Sequence, residues 1–360
     1  MVLRFPVNSV QLRNRFGCFL LLPVLLIGQI SQQSEQTVQS GSLELVFTGD
    51  VMLAGSATHV FNQRGADFAF DSTRSILKQA DLVCINLEAP FTLGGVAFNK
   101  TYTFRANPDH AVSLANAGVA ICTLANNHIL DYGEEGLFDT FEILNQNKIS
   151  YCGAGKTSND ALQGIVVTKQ GIRVGFLSFS LTYPEAFWAT QTRPGTLYPT
   201  ENRLRKGIQK LNSCADYVVI TFHWGQELMS MPKAYQRRFA KLAIDLGADV
   251  VVGHHPHVPQ GIEVYRGHVI AYSLGNYVFG SYSNKVKNGL LFKVVFSENH
   301  IQKAQIIPIV VNNHEVHLQP RMLRGNSKKQ CIDELNLISE ALNDNHPILN
   351  LDGFVQLEGQ

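Results

Sequence analysis

Five apolar runs, each ending in a short polar motif, constrain this chain more than anything else in it. LELVF leads to Thr48-Gly49-Asp50, ADLVCI to Asn86-Leu87-Glu88, and VAICTLA to Asn126-Asn127-His128. DYVVITF leads to His223-Trp224-Gly225, and GADVVV to Gly253-His254-His255-Pro256-His257. Short runs of aliphatic and β-branched residues bounded by Gly, Asn or Asp read as buried strands. Helical patterns fill the intervals near 72–79, near 108–117 behind Pro108, and across 134–147, 200–212 and 233–246. Further strands are expected near 172–179, 268–273, 289–296 and 304–311, the last three as a mostly antiparallel ending. Such alternation, with polar residues after the strand C-termini, implies a layered α/β fold with ligands beyond the strand ends. The irregular stretch 181–200, with Pro184, Trp188, Pro194, Gly195 and Pro199, reads as a long loop beside the site. The simplest division is one domain over 43–320 and a C-terminal helical appendage over 321–360, with its helix near 328–343.

The N-terminus has a different character. Residues 1–15 carry Arg4, Arg13 and Arg15 and no acid, and Phe16 to Ile30 is almost wholly apolar. A charged segment followed by an apolar one, short of the ~20 residues that span a bilayer, reads as a signal peptide or N-terminal membrane anchor over 1–30. The polar stretch to residue 42 reads as a flexible linker. The folded part is therefore expected outside the cytoplasm, secreted or held at the cell envelope. Against 30 Lys and Arg stand 29 Asp and Glu, a balance that excludes the basic field nucleic-acid binding needs. Six cysteines show no CxxC spacing; Cys84 and Cys122 lie in apolar runs and read as buried thiols. Pairing of Cys152 with Cys214 or Cys331 stays open. Gly153-Ala154-Gly155-Lys156-Thr157 mimics a phosphate-binding loop, but Ser150 stands where that motif needs glycine, and the segment reads as a loop.

Each polar motif taken alone is a common turn; together they deliver carboxylates, a carboxamide and imidazoles from five distant points. That donor set suits borderline divalent cations such as Mn, Fe or Zn. Glu88, a charge directly after a buried strand, needs a partner or a cation. His255 and His257 alternate on what reads as an extended segment, with His254 on the opposite side. His128 can give or take a proton. Asp131, three residues on, either orients that imidazole or caps the following helix. Arg105 and Asn276 are candidates for substrate contact.

FTGDVML, ADLVCINLEAPFT, TLANNHILDYG, FHWGQE, GADVVVGHHPHVPQ and YSLGNYVF, running in this order from about Leu43 to Phe279, resemble the CapA family of poly-gamma-glutamate capsule synthesis proteins. That family is similar to the calcineurin-like metallophosphatases. The resemblance implies a four-layer αββα sandwich of two mixed β-sheets flanked by helices. It implies two metals, one held by Asp50 and His257, the other by Asn127, His223 and His255, with Glu88 bridging and His128 at the attacked group. Met52 and Glu88 depart from the phosphatase pattern, which has His and Asp at the matching positions. The function implied is assistance in making or exporting an anionic surface polymer, together with membrane synthase subunits. The site is then either a hydrolase for a phosphoester or the polymer itself, or a device that binds the polyanion without turnover.

Overall fold

The computed structural model of the protein describes residues 41–297 and 300–357. The expected signal peptide or anchor, Cys18 and nearly all of the linker lie outside the described residues. Two large sheets dominate. The first runs, strand by strand, Arg321–Met322, His300–Val310, Asn288–Ser297, Leu43–Val51, Leu82–Leu87, Ile121–Thr123 and Ser150–Cys152. Its last four strands are mutually parallel and the rest antiparallel. The second runs Ile262–Tyr265, His268–Ala271, Val250–His254, Tyr217–His223, Ile172–Ser180 and Ile165–Lys169, with four parallel strands between antiparallel edges. The strand expected at 268–273 thus lies parallel to Val250–His254 and does not belong to an antiparallel ending; the other two form a hairpin in the opposite sheet.

Alternation along single strands explains why the runs are apolar throughout. Leu45 and Phe47 enter the core between the sheets, where they meet Val219, Val252 and Phe292, while Val46 faces the helices with Val83 and Leu114. On the far side Ile220 and Val251 pack with Leu204 and Ala240 of the helices Glu201–Asn212 and Ala234–Asp245. Helix, sheet, sheet, helix is the metallophosphatase-like layering the resemblance implies. Among the described residues every cysteine is a free thiol. Cys84, Cys122 and Cys152 are buried, and burial raises all three thiols, Cys152 to about 12.

Residues 321–357 are integral to this body. The helix Gly325–Glu340 sends Ile332 and Leu335 into the core between the sheets. Beyond it, the carboxamide of Asn343 accepts from Val264 N at 2.8 Å and donates to Ile262 O at 2.8 Å, while Ser339 Oγ accepts from Ile262 N at 2.9 Å. Side chains therefore satisfy the outer backbone groups of the edge strand Ile262–Tyr265, which would otherwise face the surface unpaired. Asn343→Ala is expected to destabilise the fold by about 1–3 kcal/mol, seen as a lower urea midpoint at an unchanged slope.

Candidate metal centre

The strand ends converge at one rim of the two sheets. Asp50 lies next to last in the strand Leu43–Val51, Glu88 follows Leu82–Leu87, Asn127 and His128 follow Ile121–Thr123, and His223 ends its strand. Close backbone approach makes this possible. A Cβ on Gly49 would stand 2.1 Å from Gly275 O, and one on Gly253 would stand 1.9 Å from Tyr272 O. With hydrogen there instead, Asp50 N donates to Gly275 O at 2.9 Å and Tyr277 N donates to Asp50 O at 2.9 Å. That docking brings Asn276 beside the site, its Oδ1 2.9 Å from His257 Nδ1.

His255 and His257 have φ of 96° and 60°, so the segment coils and the expected alternation fails. His254 faces the site as well: its Nδ1 is 3.2 Å from Asp50 Oδ1, while His257 Nδ1 is 3.1 Å from Asp50 Oδ2. His223 Nε2 is 2.7 Å from Asn127 Oδ1 and 3.4 Å from Glu88 Oε1. Donor atoms fall into two overlapping groups, Glu88 with His255 and His257, and Asp50 with Glu88 and His223, each within 4.8 Å. Glu88 is the member common to both. The resemblance pairs the histidines otherwise, setting His255 with His223.

Charge follows from this packing. Burial, then the neighbouring Asp50, pushes the Glu88 carboxyl well above the usual range. Burial would raise Asp50 too, but His254 and His257 outweigh it and hold that carboxyl low. Burial, then the other imidazoles, lowers His223 and takes His255 down to about 3. His257 is carried the other way, to about 9, because Glu88 and Asp50 overcome its desolvation. Glu88 Oε1 and His255 Nδ1 are buried without a hydrogen-bond partner. Such groups are costly in a folded protein, and bound cations would relieve that cost. Once deprotonated, these imidazoles and the two acids, with the Asn127 amide oxygen, are a donor set for such a cation.

His128 stands beside this group. Its Nδ1 is 2.8 Å from Asp131 Oδ2, which also accepts from Phe104 N at 2.7 Å. Asp131 thus orients the ring; it does not cap the helix Gly133–Gln146, whose N-cap is Tyr132 with no side-chain bond. Lys100, unmarked by any motif, completes the arrangement: its Nζ is 2.5 Å from Asp131 Oδ1, donates to Asn127 O at 2.6 Å and lies 3.2 Å from His128 Nδ1. Asn86 and Asn126 form a second layer. Asn86 Nδ2 donates to Asp50 Oδ1 at 2.9 Å, and Asn126 Oδ1 accepts from the backbone of His128 and Ile129 at 3.1 and 2.9 Å. Arg105 is elsewhere, exposed, donating to Leu93 O at 3.0 Å and lying over Tyr132.

The chain is similar to several known proteins. The family model described as bacterial capsule synthesis protein PGA_cap matches residues 44–281. Capsule biosynthesis protein CapA of Bacillus anthracis is 31% identical over 303 residues, covering 80% of this chain and 74% of its own. PGA biosynthesis protein CapA of Bacillus subtilis (strain 168) is 30% identical over 344 residues, covering 91% of this chain and 87% of its own. Among solved structures, Haemophilus influenzae NAD nucleotidase aligns over 82% of this chain and 56% of its own, at 14% identity with a TM-score of 0.46.

Proposed function

This chain belongs to the PGA_cap family of bacterial capsule synthesis proteins, and on that premise we propose that it is a metal-dependent hydrolase serving the synthesis or export of a poly-gamma-glutamate-type polymer at the cell envelope. The observation that carries the reading is Glu88, fully buried, with an unpartnered oxygen, and shared by both donor groups. Asp50, Glu88, Asn127, His223, His255 and His257 would hold two divalent cations, Glu88 between them. When bound, such cations lower the pKa of a coordinated water and neutralise charge on the attacked group.

The remaining work falls to the chain itself. Asp131 engages Nδ1 of His128, which leaves Nε2 as the atom free to exchange a proton with a leaving group. Burial lowers the His128 pKa, against the pull of Asp131. Lys100 ties Asp131 to the Asn127 carbonyl and keeps the turn from rotating. A membrane synthase is the partner this role requires, and residues 1–30 would bring the chain to it as signal or anchor.

The test is metal content of the purified full chain alongside turnover of a generic phosphodiester with added manganese. Two ions per chain, with both metal and turnover lost in His257→Ala, is the expected result. Absence of bound metal and of turnover would defeat the hydrolase reading and leave a polyanion-binding subunit.

A further inference from the structure

The loop expected beside the site carries a feature the proposed chemistry does not use. It leaves the rim where Leu181 N donates to His223 O at 2.9 Å, and its Phe187 packs on Phe98 and beneath Lys100 Nζ. On the other side of this loop lies a cavity of about 390 Å³, lined by Glu185, Trp188, Thr190, Arg193, Tyr198 and Arg203 among others. Trp188 and Tyr198 lie with ring centroids 4.0 Å apart, and Tyr183, 72% exposed, extends the aromatic surface 5.9 Å from Trp188. Trp188 is held in place, since its Nε1 donates to Thr182 O at 3.0 Å.

Both arginines are anchored through a single nitrogen to the backbone beneath these rings. Arg193 donates to Trp188 O at 3.1 Å and Arg203 to Tyr198 O at 2.9 Å. Neither forms an ion pair among the described residues, and Glu185, the one acid lining the cavity, pairs with neither. Each guanidinium has five N–H donors, so most of both forks remain available. Two positioned forks without counter-charge, beside fixed aromatic faces, match a ligand that alternates carboxylates with apolar or amide segments. A neutral sugar would leave the cations unanswered, and a phosphate group alone would leave the aromatic faces uncovered.

We infer that this cavity is a subsite for a chain of glutamate residues, its free carboxylates on Arg193 and Arg203 and its methylene and amide segments against Trp188 and Tyr198. Gamma-linked glutamate carries one free carboxylate per repeat, so two neighbouring repeats would engage the two arginines. The inference rests on the polymer named above and extends the site from the metal centre onto the adjoining loop.

Tryptophan emission of the full chain tests it. The protein has two tryptophans; Trp224 is fully buried against Phe222, and a Trp224→Phe background isolates the emission of Trp188. Titration with a gamma-linked glutamate oligomer is expected to give a saturable change. Arg193→Gln with Arg203→Gln is expected to raise Kd at least about tenfold, the equivalent of one lost charge-assisted bond. The exposed Arg193→Gln alone should shift Kd in the same direction and guards against misfolding of the double variant. Unchanged affinity in both variants would overturn the inference, as would equal binding of polyphosphate or dextran sulfate. Metal content and phosphodiester turnover should stay at wild-type values in the double variant. If the wild-type chain holds no metal while the Kd difference stands, the hydrolase reading fails and this subsite survives.

Discussion

Glu88→Gln is expected to reduce divalent-metal affinity by on the order of 100-fold or more, yet to make the metal-free protein harder to unfold. The two effects come from one geometry. Glu88 is wholly buried beside Asp50, its Oε1 has no hydrogen-bond partner, and its other oxygen has only a long 3.4 Å contact with Asn86 Nδ2. With a cation present, that oxygen is a ligand; without one, the carboxyl ionises only at a cost, and a neutral side chain of the same volume removes that cost. The sign follows from linkage. A carboxyl held above its unfolded pKa costs stability as pH rises from the unfolded value toward the folded one, because ionisation is penalised only in the folded state. The gain in the variant should therefore be present at neutral pH and vanish near pH 4. Melting with excess chelator at both pH values, and metal competition titrations, measure the two halves. A lower melting temperature for the metal-free variant at neutral pH would mean that Glu88 is satisfied by protein alone.

His128→Ala should leave metal binding intact and lower turnover by about 10²–10⁴-fold, the range for a positioned acid or base. Only the neighbouring Asn127 is among the donors, and the His128 backbone is held independently through Asn126 Oδ1. Asp131→Asn should lose less, since it keeps an oxygen for Phe104 N while loosening the ring. A His128→Ala chain with full turnover would remove the imidazole from the mechanism; one that lost metal would make it part of the cation site.

Strand ends were legible because parallel strands buried on both faces are apolar at every position, so the first polar residue after each is conspicuous. The same reasoning missed Ser150–Cys152, Ile165–Lys169 and Ile262–Tyr265, which are short or lie at sheet edges, where one face is half-exposed and the apolar run breaks. Lys100 was invisible for a different reason. It sits in an irregular loop and reaches Asp131 only through long-range packing, which no local spacing encodes. His254 was placed on the wrong side because alternation presumes extended backbone, and the positive φ at His255 violates it. Arg105 carries the charge that suggests an anion contact, but its guanidinium is turned to Leu93 O and the Tyr132 ring, while Lys100, five residues back, reaches Asp131 and Asn127.

The rim is also assembled from residues far apart in the chain. His255 N meets Asp50 across 205 residues of chain, Asn86 meets His223 across 137, and His223 meets Asn127 across 96. Closing such distances is slow, and nothing binds until both sheets have met. A chain arrested with either sheet incomplete would have no donor pocket at all. Metal bound at this rim, as proposed above, would therefore be taken up only once both sheets have met.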